Sequence, residues 1–318
     1  MHLYFLGLSL VGYDSLWGRI IRSGVVASIA SVKQTGMFPN GDRLRTVFTS
    51  LRGLDQFLVP AVIFYNDILS NNSIADRMLL VSLFTTMQTT AHCMLVLGWR
   101  RGRRPWWAQM EHLFWGVFNQ AWGAAAVYPL YCFTHTSRFL DDETNSSEAF
   151  ALLPTAVLGA LTPAMLLYPA FNSACSVNLR QGLIAFYRFT PLILTRKISK
   201  YLARYPRFED SKKYVAVSLV LSGLAASAGH GYVLLNAVAV GFSRVFLPAG
   251  HIDLTQPTVI ADGSRTFLQW DVFVITATLV PFADLVLRSG RYVGLTVASS
   301  VLSPGAVLAF ALAAKAVS

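Results

Sequence analysis

Five side chains in this sequence could move protons in otherwise apolar surroundings. They are Asp55 in LRGLDQF (51–57), His92 in TTAHCML (89–95), Glu111 in WWAQMEHLFWGVFNQ (106–120), His230 in SAGHGY (227–232) and Asp271 in FLQWD (267–271). An ionisable group within such a run is costly unless it is paired or faces a cavity, so each is a candidate catalytic residue. A carboxyl with no positive neighbour is stored protonated there and suits a general acid, and a neutral imidazole can take a proton back. Glu111 lies among Trp106, Trp107, Phe114 and Trp115 with His112 beside it, a pattern that also fits an interfacial aromatic belt. Asp271 follows Gln269 and Trp270, which could orient it. Asp55 comes just after Gly53 near a helix start, where a carboxylate complements the helix dipole. For His92 and His230 the competing reading is a buried imidazole satisfied by a backbone carbonyl. Asn66, Asp67, His112, His135 and Asp284 complete the set. Asp67 reads as a solvated helix end, and Asp284 as the partner of Arg288 one turn on.

The elements that hold these residues are membrane helices. Of 318 residues, 54% are apolar and 13% charged, about half the charge of a soluble domain. Apolar runs at 54–69, 78–98, 106–133, 150–171, 214–240, 267–287 and 292–314 predict an all-α polytopic bundle of about seven transmembrane helices. They form one transmembrane domain, 54–318, after an N-terminal membrane-associated or cytoplasmic segment, 1–53. The shorter run QGLIAFYRFTPLILT (181–195) carries Arg188 and Pro191 and leads into the basic RKISKYLARYPR (196–207), so it reads as an interfacial helix. With the N-terminus in the cytoplasm, 21 of the 26 Lys and Arg fall on the cytoplasmic side, and the C-terminus lies outside. Charge sorted in this way marks topology and contact with membrane lipid, not a nucleic-acid partner. The opening HLYFLGLSLVGY (2–13) is like the apolar part of a signal peptide but has no basic residue before it, and reads as retained. Glycosylation tripeptides at Asn71-Asn72-Ser73 and Asn145-Ser146-Ser147 fall in non-cytoplasmic loops of this topology, in keeping with a multi-pass protein of the endoplasmic reticulum.

Other membrane chemistries lack their motifs. There is no aspartate-rich diphosphate site, no H-E-x-x-H and no G-x-S-x-G. Cys93, Cys132 and Cys175 have no short spacing. Neither a cofactor nor a metal is expected. A seven-span receptor would place its N-terminus outside, and an odd span count without internal repeat fits an inverted-repeat transporter poorly.

Three pieces taken together, LRGLDQFLVPAVIFYNDIL (51–69), YPLYCFTH (128–135) and FLQWDVFVITATLV (267–280), resemble the fungal membrane-bound terpene cyclase family of the ascochlorin and ascofuranone pathways. The resemblance runs over most of the chain from about residue 50. Close relatives in polyketide clusters are assigned as epoxide hydrolases. The resemblance implies metal-independent, acid-initiated cyclisation of a meroterpenoid's prenyl chain by protonation of an epoxide or terminal alkene. Glu111 or Asp271 would supply the proton, His230 or His92 would remove one, and aromatic faces would stabilise the cation between. The partner is then a lipophilic small molecule, a prenylated aromatic or a polyene epoxide, entering from the bilayer. Opening the epoxides of a polyene polyketide is the alternative activity, and export of such metabolites a third.

Overall fold

The computed structural model describes residues 1–99, 111–136, 146–189 and 211–317. Trp106 and Trp107, the basic stretch 196–207 and Asn145 of the second glycosylation tripeptide lie outside the described residues. The regular elements among the described residues are helices, accompanied by an isolated bridge between Met37 and Arg43. In chain order they are α1 (His2–Tyr13), a π-helical turn (Asp14–Gly18), α2 (Arg19–Arg22), α3 (Val25–Thr35), α4 (Arg52–Ser70) and α5 (Ile74–Trp99). There follow α6 (Glu111–Trp122), α7 (Ala124–His135), α8 (Ser146–Leu161), α9 (Ala164–Phe171) and α10 (Val177–Tyr187). The last are α11 (Ser211–Val240), α12 (Phe242–Phe246), α13 (Val259–Leu287), α14 (Tyr292–Leu302) and α15 (Pro304–Val317).

Four helical stretches are long and apolar enough to cross a membrane: Ile74–Gly98, Ala149–Phe171, Ser211–Val240 and Val259–Leu287. The outward faces fit lipid, with Leu235 and Val238 of α11 at 83% and 73% exposure. Two expected spans are each broken in two. The run 106–133 divides at Gly123, whose φ of 89° no helix accommodates, into α6 and α7 of 12 residues each. The run 292–314 divides at Ser303, also at φ 89°. There the Ser303 hydroxyl accepts the Ala306 N–H at 3.2 Å and Pro304 opens α15, so a serine cap and a first-turn proline start a new helix. Among the described residues each piece is shorter than the roughly 20 residues of a single crossing helix.

Helix α11 packs against α5, α8 and α15, and α13 packs against α4, α7 and α15. The ends of these helices are tied by buried polar groups that the sequence reading had left in water. Asp67 is buried beside Asn66, which accepts from Arg180 Nε at 2.9 Å, while Arg180 also grips Asp42 at 2.6 Å. Residues around 42 and 180 fold over that helix end, so it is not the solvated terminus expected. Asp284 does not pair with Arg288. Arg288 turns left-handed to end α13, and Asp284 instead accepts the Ser289 hydroxyl at 2.7 Å and the Arg291 N–H at 2.9 Å.

A second tie starts α5. Ser73 accepts the Asp76 N–H at 3.3 Å, as an N-terminal capping serine does. Asp76 is 1% exposed and held in bidentate fashion by Arg265 of α13, which also reaches Asp262 at 3.0 Å. Replacing Arg265 by Met strands a buried carboxylate, and the expected cost is about 3–5 kcal/mol. A lowered thermal midpoint of the variant in detergent is the check, and an unchanged midpoint would remove this pair from the stabilising set.

Candidate active site

Two helices bring polar stripes to one enclosed space. On α5, Gln88, Ala91, His92 and Leu95 share a face, and on α6, His112, Trp115, Gly116 and Asn119 recur at the same spacing of three and four. They line a cavity of about 80 Å³, which Gln120, Tyr128 of α7, Thr155 of α8 and Tyr187 of α10 help to close.

Hydrogen bonding fixes the state of His92. The Ser218 hydroxyl donates to the Val215 carbonyl at 2.8 Å, so in its 3.2 Å contact with His92 Nε2 it accepts. The imidazole proton is therefore on Nε2, and Nδ1 carries a bare lone pair. That Nδ1 is buried and has no partner among the described residues. His112 Nε2 and Asn119 Oδ1, on the opposite wall, are likewise buried without partners. Buried polar atoms in native proteins are nearly always satisfied, so three orphans around one cavity mark a place for a ligand's polar atoms. Behind the wall, Arg188 donates to the lining residue Gln120 at its Oε1, 2.6 Å away, and its Nε has no partner among the described residues. Trp115 supplies an aromatic face beside the polar groups.

Asp271 stands directly behind this wall. At 2% exposure, its Oδ1 accepts the Ala125 N–H at 2.7 Å. Ala125 lies in the first turn of α7, whose capping position is Gly123 and has no side chain to offer. The carboxyl of α13 thus does what an N-capping side chain would do. No basic side chain pairs with Asp271 among the described residues. Tyr128, one turn after Ala125 on α7, belongs to the cavity wall.

Helix α1 seats α7 from the other side. Pro129 has no N–H to give the Ala125 carbonyl, and Gly12 approaches that oxygen so closely that any Cβ would overlap it. The Ser9 hydroxyl donates to the neighbouring Ala126 carbonyl at 2.6 Å, and Trp17 Nε1 to the Trp122 carbonyl at 2.8 Å. Gly12→Ala is expected to cost about 1–3 kcal/mol by overpacking. It should also lower turnover, because α7 carries both Tyr128 and the Asp271 contact. Wild-type stability and turnover in G12A would show that this close approach is not needed.

The CtvD domain family matches residues 1–313. This chain belongs to that family. Terpene cyclase alnG of Emericella nidulans is 35% identical, over 97% of this chain and 92% of its own length. Terpene cyclase DEP1 of Alternaria brassicicola is 30% identical, over 98% of this chain and 97% of that protein. Its namesake from Fusarium langsethiae is 29% identical over 98% and 96%. The resemblance read from the three apolar pieces is borne out by these relatives. No solved structure matches the chain.

Within this CtvD-family chain, the five candidate residues occupy separate places. His92 lines the small cavity and Asp271 lies behind it. His230 lines a second cavity, of about 580 Å³, with Nε2 donating to the Ser300 carbonyl at 3.1 Å and Nδ1 accepting the Ser82 hydroxyl at 3.0 Å. Both of its nitrogens are thereby occupied. Glu111 contacts His135 Nε2 at 2.8 Å, a partner contributed by the far end of α7. His135 Nδ1 lies 2.8 Å from the Tyr131 carbonyl and must carry a hydrogen, so Nε2 and Glu111 share one further proton. Asp55 Oδ1 accepts the Phe48 and Thr49 N–H groups and the Thr49 hydroxyl, at 3.1, 2.9 and 2.9 Å. It pins the turn at Ser50, whose φ is 63°, and lines neither cavity. Among the described residues no group of three or more His, Cys, Asp or Glu is placed to hold a metal ion.

The sequence reading did not select Gln88, Asn119, Gln120, Tyr128 or Tyr187, and counted His112 among the polar groups in apolar runs without giving it a role. A signal for several of them was present. Polar residues recurring at helical spacing inside an apolar run, 88 with 92 and 112 with 119, mark one wetted face of a membrane helix.

Proposed function

We propose that this chain is a membrane-integrated terpene cyclase that cyclises the prenyl chain of a meroterpenoid by protonation of an epoxide or terminal alkene. The observation that carries this reading is the bare, buried lone pair of His92 Nδ1 facing a cavity that an unpaired carboxyl, Asp271, backs. The names of the relatives support the cyclase class.

In this reading Asp271, which contacts α7 one turn before Tyr128, delivers its proton to the substrate. The epoxide C–O bond opens, its oxygen leaves as a hydroxyl, and a neighbouring alkene pair closes the ring. Trp115, Tyr128 and Tyr187 offer π faces to the migrating cation. His92 Nδ1 ends the sequence by taking a proton from the carbon next to the cation, whose C–H pair becomes an alkene. The proton then returns to Asp271, so the reaction is an isomerisation without net proton change. Asn119, Gln88 and Gln120 supply hydrogen bonds to the oxygenated part of the substrate, a feature that favours a meroterpenoid over a pure hydrocarbon. Ligand sites commonly enclose about 300–1,000 Å³. At about 80 Å³ the cavity takes the reacting terminus, with the rest of the chain beyond the described walls.

Microsomes containing the protein, incubated with an epoxidised prenyl arene, should yield a cyclised isomer of unchanged mass, identified by mass spectrometry. Turnover of a polyene polyketide epoxide instead, with addition of water, would replace cyclisation by epoxide opening. Turnover of neither would overturn both.

A further inference from the structure

The geometry points to a second ligand site, the 580 Å³ cavity bounded by α5, α11, α12, α13 and α14, selective for an uncharged, mainly hydrocarbon molecule that ends in a free hydroxyl. Its volume lies within the range of small-molecule sites, several times that of the cavity used above. The walls are largely apolar, and Phe242, Phe273 and Tyr292 at its margin are 42–47% exposed on the outside of the bundle. A ligand therefore enters from lipid rather than from water.

Selectivity follows from counting protons at the polar end. Thr276, Thr296, Ser299 and Ser300 each donate their hydroxyl to a carbonyl of their own helix, at 2.8–2.9 Å. His230 Nε2 spends its proton on the Ser300 carbonyl, which leaves Nδ1 as an acceptor for the Ser82 hydroxyl proton. Every proton in this group is committed, while the Ser82 oxygen keeps acceptor capacity. The Thr86 and Tyr292 hydroxyls elsewhere in the lining remain able to donate, but at the Ser82 oxygen a ligand must bring the hydrogen itself. An alcohol satisfies that condition, whereas its ether or ester presents only an acceptor to the acceptor there. Among the described residues no charged side chain lines the cavity, which disfavours a phosphate or carboxylate head.

This chemistry has two sources, a membrane sterol and a prenyl alcohol. The test uses the full chain in detergent micelles and photoreactive diazirine analogues of farnesol and of farnesyl methyl ether. Farnesol should label peptides containing residues 272–280 or 292–300, and the ether should label them about five-fold less, the worth of one hydrogen bond. Ser82→Ala should bring the alcohol down to the level of the ether. Ala277→Phe, which fills the space without touching Ser82 or His230, should reduce both. Competition by unlabelled ergosterol assigns the site to membrane sterol, and competition by unlabelled farnesol alone assigns it to prenyl alcohols. Equal labelling by alcohol and ether, labelling confined to other peptides, or displacement by neither competitor would overturn the site.

Discussion

Asp271→Asn should cut product formation in isolated membranes by about 10²–10⁴-fold while protein level and thermal midpoint stay close to wild type. The range is what a positioned general acid contributes. The fold should survive because the amide oxygen of Asn can still accept the Ala125 N–H, the hydrogen bond that starts α7. Asp271→Ala removes that bond as well and should lose about 1 kcal/mol of stability together with activity. Glu111→Gln is the informative contrast. The proton of Glu111 is shared with His135 and not directed at the cavity, so E111Q should retain most of its turnover. Full turnover in D271N, or loss in E111Q alone, would move the acid from α13 to α6.

His92→Phe should change what is made as well as how fast. Without a base at Nδ1 the cation still forms, but it is quenched by water or by proton loss at a different carbon. Hydroxylated and isomeric alkenes should then appear beside a product reduced about 100-fold. Ser218→Ala should show a smaller version of the same effect. Ser218 contacts the far side of the ring and sets its tautomer, so its loss lets the proton move to Nδ1 and silences part of the population. An unchanged product ratio in both variants would remove His92 from the termination step. A loss of rate with unchanged ratio would make it a binding group.

The legible and illegible parts of this chain differ for physical reasons. Helices α5, α11 and α13 announce themselves because an apolar run of crossing length has few alternatives in lipid. The breaks at Gly123 and Ser303 do not, since a lone glycine or serine in an apolar run is compatible with a continuous helix. What makes Gly123 a break is tertiary. A Cβ there would stand 2.7 Å from Leu16 and 3.2 Å from Phe267, and Asp271 supplies the cap. Ionisable residues in apolar runs pointed to Asp271 and His92, both of which the fold buries, because desolvation makes such groups costly wherever they fold. The partner of Glu111, His135, is 24 positions away, and that of Asn66 is Arg180, so neither contact could be read from neighbouring residues.

The junction of α1 with the bundle also bears on how the protein is made. Tyr4 donates to the Ala277 carbonyl at 2.7 Å, across 273 positions of sequence, and Ser9 reaches Ala126 across 117. At about 5–20 residues per second, ribosomes need about 14–55 seconds to pass from one end of the longer contact to the other. Helix α1 thus leaves the ribosome long before it acquires all its neighbours, and for much of synthesis its apolar surface has only lipid or a chaperone for company. Slowing elongation late in the message should lengthen that interval and expose the nascent chain to quality control, even though every residue of the finished protein is unchanged.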